Sequence, residues 1–364
     1  MKKITTIILI VLIASTLNFS NLEAEKIQKT ELPSYFSWRN INNTDFTTSI
    51  KNQAPAPTCE AYALCASIET LMQYQTKELF NPDLSETHLY FYAGGTYESG
   101  YVNIVDAANY LIEHGVPDEG CYPDPKRPFD YPFDSIEGWE NRTVKIQEWG
   151  WVDHDIDSIK NALINYGPLA ICAYFWTDFH YYKGGVYKHR WGEIAGGHVM
   201  TMVGYDDSEQ CWIVKNSAGT KWGIDGWLKM AYDADMFADW YGEGTGIMYI
   251  DGVHGNFKPN APKIQIEKPK NYQTYIFGNE IPIILKQLPI QKSAPRIIGN
   301  LIVELSSENT DRVEFYIDNE FQDTDDQEPF TFDLQTTQGL HTLEIRAYKE
   351  NIISKDVVDL YKML

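Results

Sequence analysis

From residue 59 the chain reads CEAYALCASIETLMQYQ, apolar on nearly every side and free of Gly and Pro. That pattern predicts a helix inside a core rather than one riding on its surface. NPDLSETHLYFYAGG reads as a turn, a capped short helix and a glycine stop. NIVDAANYLIEHG sets Ile104, Ala107, Ala108 and Leu111 at helical spacing and ends at Gly115. DIDSIKNALINYG opens on aspartates and ends at Gly167, another helix. Then the texture changes to strand-length apolar runs: PLAICAYF, GGVYKH, HVMTMVGYD, CWIVKNS and GWLKMAY. Before the first helix, LPSYFSWRN and TTSIKNQ read as short extended segments. Helices first and strands after give an α+β pattern in two lobes.

Near HGNFKPNAPK the sequence turns polar and proline-bearing, which places a linker at 254–262. Beyond it, VEFYIDNEF alternates Val313, Phe315 and Ile317 on one face, and GLHTLEIRAY alternates Leu343, Ile345 and Ala347. Strand-length runs with turn residues between them predict an antiparallel, all-β sandwich over 263–364. This stretch has no cysteine and so no inter-sheet disulfide. It resembles the bacterial immunoglobulin-like modules appended to secreted enzymes, which implies a possible cell-surface or matrix ligand. Its acidic run, Asp323 to Glu328, reads either as a calcium loop or as a solvated hairpin turn.

At the other end, a basic MKK followed by ITTIILIVLIASTLNF and LEA predicts a secretory signal over 1–24, cleaved after Ala24. The alternative is an uncleaved anchor, for which the apolar run is short. No later stretch is apolar enough to span a bilayer. The expected localisation is secreted, extracellular or periplasmic. A net charge of −21 excludes nucleic acid and anionic membrane as natural partners, because like charges repel. Five cysteines, Cys59, Cys65, Cys121, Cys172 and Cys211, leave at least one thiol without an intramolecular partner in a secreted chain. None of their spacings is a paired metal knuckle, so zinc is not expected.

The chemistry converges on Cys59. It stands where the proline-stiffened loop IKNQAPAPT meets the first helix, and unpaired N–H groups and the helix dipole favour a thiolate there. A small buried hydrophobe is the competing reading. A cysteine nucleophile also needs a base and a group to orient it. His198 follows Ala195-Gly196-Gly197 and opens a strand; the other seven histidines lie in polar or helical contexts and are expected on the surface. Asn216 ends the next strand and suits imidazole orientation, and Gln53 offers an amide to an oxyanion together with the Cys59 N–H.

These segments resemble the papain-like cysteine peptidases. Glutamine, cysteine, histidine and asparagine come in the family's order. The match runs from LPSYFSWR through IKNQ, DLSE, ESGYVNIVDAANYLIEHGV, INYGPLAICAYF and GGHVMTMVGYDD to KNSAGTKWGIDGWLKM. The resemblance implies a two-lobed papain-like fold over 25–253, a helical lobe facing a β-barrel lobe. It implies a secreted endopeptidase acting through a thiolate–imidazolium pair and an acyl-enzyme, on a protein or peptide substrate and without cofactors. It further implies that Gly100 and Tyr101 meet an extended substrate, with Gly197 beside them, and that Cys172 and Val199 line the main specificity pocket.

The departures leave alternatives open. QAPAPTCE replaces the family's glycine- and cysteine-bearing loop, so Ala56 removes half of a structural disulfide and Pro57 narrows the cleft. Glu60 stands in place of an aromatic residue and Ala218 in place of a shielding Trp. A carboxylate about 6–8 Å from a thiolate opposes its ionisation by about 1 kcal/mol at intermediate dielectric; pointed at His198, Glu60 would instead support the imidazolium. Only EKIQKTE stands between the expected cleavage and the mature-like start, so no long inhibitory propeptide is expected. The alternatives are a catalytically weak or inactive binding protein on the same fold, or a cysteine-dependent acyltransferase.

Overall fold

The structure, a computed structural model, describes residues 32–96, 99–124, 135–257, 260–281 and 294–364. The expected signal segment at 1–24 lies outside the described residues.

The helices are α1 (Cys59–Thr76), α2 (Glu86–Tyr92), α3 (Ile104–Glu113) and α4 (Ile156–Asn165). Every residue of α1 from Cys59 to Gln73 is buried, as its all-round apolar sequence dictates. The other three start on side-chain caps: Ser85 accepts from His88 N–H, Asn103 from Val105 N–H and Asp155 from Ser158 N–H. A cap of this kind contributes about 1 kcal/mol. In α3 the buried residues are Ile104, Ala107, Ala108 and Leu111, the face the spacing predicts.

The strands up to residue 255 are β1 (Tyr35–Ser37), β2 (Val144–Lys145), β3 (Glu148–Trp151), β4 (Leu169–Trp176) and β5 (Val186–Tyr187), then β6 (Ile194–Asp206), β7 (Cys211–Lys215), β8 (Trp227–Ala231), β9 (Ile247–Asp251) and β10 (His254–Gly255). Eight of them form one sheet in the order β3-β9-β4-β6-β7-β8-β5, with β1 paired to β6 beside this path. Side chains alternate faces along a strand. On β4, Ala170 and Cys172 therefore join a core with α1 and α3, whereas Leu169, Ile171 and Ala173 join a second core with α4. On β6, Val199 and Val203 go to the first core, and Met200 and Met202 to the second. Burial on both faces is why these runs read as continuously apolar. Gly204 admits β1: a Cβ there would stand 2.3 Å from Phe36 O.

The remaining strands are β11 (Lys263–Lys268), β12 (Thr274–Ile276), β13 (Asn279–Ile281), β14 (Arg296–Ile298) and β15 (Ile302–Glu308), then β16 (Arg312–Ile317), β17 (Glu320–Asp325), β18 (Thr331–Asp333), β19 (Gly339–Lys349) and β20 (Ile352–Lys362). They form a three-stranded sheet, β11-β15-β18, and a seven-stranded sheet, β13-β12-β14-β20-β19-β16-β17. The alternating residues meet directly across the β16–β19 ladder: Val313 opposite Ala347, Phe315 opposite Ile345, Ile317 opposite Leu343. Phe315 stacks on Phe332 of the other sheet at 4.7 Å between ring centroids. One expectation is corrected, since β14 runs parallel to both β12 and β20 and the sheets are not wholly antiparallel. Among the described residues no group of three or more His, Cys, Asp or Glu is placed to hold a metal ion.

The expected linker also differs in its first residues. His254 and Gly255 form β10 and pair with β2, and Phe257 packs against the first core. Further on, β20 lies against the chain around residue 120. Arg142 donates from Nε to Asp118 Oδ2 at 2.7 Å, from Nη2 to Ser354 Oγ at 3.0 Å, and from Nη1 to the Ile353 carbonyl. Gly120 permits the approach, because a Cβ there would be 2.5 Å from Ser354 Oγ.

Candidate active site

Cys59 is the first residue of α1, with Thr58 as an N-cap that makes no side-chain capping bond. Its sulfur reaches across to β6, where the Val199 backbone N–H donates to it. His198 is the preceding residue of the same strand. Asn216, buried just past the end of β7, accepts from His198 Nε2 at 2.8 Å and from Ser217 N–H at 2.8 Å. Fixing Nε2 in this way leaves Nδ1 as the nitrogen able to take a proton from sulfur. The Phe175 ring stands edge-on to the imidazole at 6.1 Å between centroids.

Gln53 is tied to the same loop. Its Oε1 accepts from the Ser217 hydroxyl at 2.6 Å, its backbone N–H donates to Ser217 O at 2.9 Å, and its Nε2 donates to Ala56 O at 3.0 Å. Gly100 adopts φ +64°, and its missing Cβ would lie 3.9 Å from Pro57 Cγ. The Pro57 ring thus stands beside Gly100. Tyr101 is exposed. Gly197 is also exposed, and Trp240 explains why it is glycine: a Cβ would be 2.6 Å from that indole ring.

Cys172 and Val199 are a correction. They face each other across the β4–β6 ladder, but Cys172 is fully buried and Val199 is 1% exposed. Their side chains belong to the core beneath the cleft rather than to an open pocket surface.

Burial and the neighbouring Glu60 carboxylate push the Cys59 thiol well above its usual value, against the helix N-terminus and the Val199 N–H. The thiol donates to Glu60 Oε2 at 3.5 Å. Among the described residues this is its side-chain partner, and no hydrogen bond joins it to His198. Burial raises Glu60 to about 7, while N–H groups of Glu60 and Val102 hold its charge. His198 is lowered by burial, with Asn216 opposing the shift. Burial thus opposes charge on both the Cys59 sulfur and the His198 ring.

Behind Asn216 lies a buried charge cluster. Lys51 Nζ contacts Glu69 Oε1 at 2.8 Å, Asp83 Oδ1 at 2.6 Å and Glu86 Oε1 at 2.7 Å. Lys215 donates to Thr48 Oγ1 at 2.8 Å and is pushed down to about 8 by burial. A cavity of about 20 Å³ between these groups and Val199 has room for a water, not a substrate. All five cysteines are free and buried.

Sequence reasoning missed Phe175, Trp240 and Val102 as neighbours of the site: Val102 and Phe175 lie in segments that match the family but were given no role there, and Trp240 lies beyond the matching segments. It also expected His88 at the surface. That ring is fully buried, stacked on Tyr92 at 4.1 Å and beside Trp139 at 4.5 Å, with neither nitrogen hydrogen-bonded among the described residues.

A family model described as papain family cysteine protease matches residues 32–243, more than half of the chain. Cathepsin B-like CP2 of Giardia intestinalis is 46% identical over 79 residues, covering 21% of this chain and 26% of that protein. Procathepsin L of Felis catus is 28% identical over 216 residues, covering 56% of this chain and 62% of that protein. The chain thus spans less than two thirds of the length of these curated relatives. Among solved structures, the bromelain protease of Ananas comosus in complex with the E64 inhibitor aligns at 26% identity and a TM-score of 0.50. That alignment covers 60% of this chain and 99% of that one.

Proposed function

The chain belongs to the papain family of cysteine proteases, and from that premise we propose that it is a secreted endopeptidase whose nucleophile is Cys59. The observation that carries the reading is the meeting of three elements: the sulfur at the head of α1 takes the Val199 N–H, and the adjacent His198 is oriented by Asn216.

Neutral His198 accepts the thiol proton at Nδ1 as the sulfur bonds to the substrate carbonyl carbon, whose π electrons move to oxygen. The Cys59 N–H and the second N–H of the Gln53 amide receive that oxyanion. When the carbonyl re-forms, the C–N bond breaks and His198 returns the proton to the leaving amine. Water, deprotonated by the same imidazole, then cleaves the thioester. Phe175 covers the imidazole where Ala218 offers no shield.

An extended peptide pairs with the backbone at Gly100, beside the exposed Tyr101 and Gly197. The export signal spans 1–24, and 263–364 forms an immunoglobulin-like sandwich held against the peptidase domain by Arg142 and directed at a cell-surface or matrix ligand.

The test is labelling by a peptidyl epoxide that traps activated thiols. Label on Cys59 of the parent at pH 5–7, lost in Cys59→Ala, supports the reading. Label that persists in the variant, or none in the parent, defeats it. An added peptide amine that yields ligated product in place of hydrolysis would make the chain an acyltransferase.

A further inference from the structure

Among the described residues, Glu60 is the one carboxylate in contact with the nucleophile. It is 6% exposed, its Oε2 lies 3.5 Å from Cys59 Sγ, and it also accepts the Val102 N–H. The titratable groups that face it, among the described residues, are Cys59 on α1, Cys172 on β4, Tyr90 on α2, and Tyr241, whose hydroxyl accepts the Ile104 N–H at 3.3 Å. Each is an acid that stays neutral near pH 7, and none is a cation. His198 answers to burial, Asn216 and His180 instead. The carboxylate therefore has no counter-charge, and the thiol is its only side-chain donor among these groups.

We propose that Glu60 is a latch on the nucleophile: by accepting the Cys59 S–H it keeps that proton away from His198, and attack begins only when this hydrogen bond is broken. The inference rests on the peptidase reading above and makes Glu60 a positioning residue. Release requires no bond to form or break in Glu60. The S–H turns from Oε2 to His198 Nδ1, the proton passes to the ring, and thiolate and imidazolium result. Two events loosen the latch. Protonation of the carboxylate weakens it as acceptor, and a substrate strand pairing at Gly100 bears on the segment that ends in Val102, where Glu60 is anchored.

The experiment measures the alkylation rate of Cys59 by iodoacetamide from pH 5 to 9, followed by peptide mapping, in the parent, Glu60→Gln and Glu60→Asp. Gln keeps an acceptor for Val102 N–H, and Asp keeps the charge but withdraws it from the sulfur by one methylene. The latch predicts alkylation at pH 7–8 at least tenfold faster in Glu60→Gln and at least threefold faster in Glu60→Asp. It also predicts that the pH at which the rate reaches half its plateau falls by a unit or more in Glu60→Gln. Equal rates and profiles in all three proteins would overturn it, as would acceleration in Gln alone, which would make the effect one of charge rather than contact. If Gln does not fold, the Asp result decides. Because alkylation needs no turnover, faster alkylation without peptide cleavage would sink the peptidase reading and leave the latch standing.

Discussion

Asn216 Oδ1 and His198 Nε2 lie 2.8 Å apart, joining the loop after β7 to the strand β6 that also touches Cys59. This hydrogen bond selects the imidazole tautomer in which Nδ1 accepts. Asn216→Ala should lower kcat/KM by roughly 10²-fold, within the span of acid–base catalysis, with KM little changed. Steady-state kinetics on a fluorogenic peptide check this, and an unchanged kcat would show that the ring is held by other means.

Glu60 also makes stability depend on pH. Its folded value of about 7 exceeds the ordinary 4.5, so the native state binds the extra proton and stability falls as pH rises from about 4.5 through 7. Glu60→Gln should therefore be more stable than the parent at pH 8, by up to about 3 kcal/mol, and nearly equal to it at pH 4. Urea denaturation of both proteins at the two pH values gives the comparison.

His88 acts in the opposite direction. Burial lowers it from 6.5 to about 3, so the unfolded chain binds a proton that the native state refuses, and stability is lost as pH falls below about 6.5. With neither nitrogen hydrogen-bonded among the described residues, His88→Phe removes no hydrogen bond there. The variant should hold its urea midpoint between pH 8 and pH 4 better than the parent, by up to about 3 kcal/mol at the acid end. A parallel fall in both would place the acid sensitivity elsewhere.

These two residues show where the sequence stopped being informative. The face of α3 and the caps at Ser85 and Asp155 were legible because helical spacing and capping act within a few residues. The ladder that sets Val313, Phe315 and Ile317 opposite Ala347, Ile345 and Leu343 followed from two-residue alternation. His88 sits in a short helix with polar flanks, and its burial comes from Trp139 and Tyr110, which no local pattern links to it. The direction of Glu60 depends on Val102, more than forty residues away, so the sequence left it open between sulfur and imidazole. The burial of Cys172 needed knowledge of both faces of β4, and the parallel placement of β14 depended on pairings between strands distant in the chain.

Arg142 tests the seam between the two β-rich parts. It is largely buried and bound to Asp118, Ser354 and the Ile353 carbonyl. Arg142→Ala leaves Asp118 without that partner and should cost about 2–3 kcal/mol. Calorimetry should show a lower Tm, and hydrogen exchange should rise together at 118–122 and 352–356. Exchange rising on one side alone would mean that the two parts are not coupled through this residue.

The central claim is that Cys59 carries the acyl group of the substrate. Intact-protein and peptide-mapping mass spectrometry, on samples quenched in acid during turnover of a slowly deacylating peptide ester, tests it directly. The account predicts a single acyl adduct on Cys59, absent from Cys59→Ala, which should also fail to cleave the ester. Turnover with no adduct at Cys59, or an adduct on another residue, would contradict it.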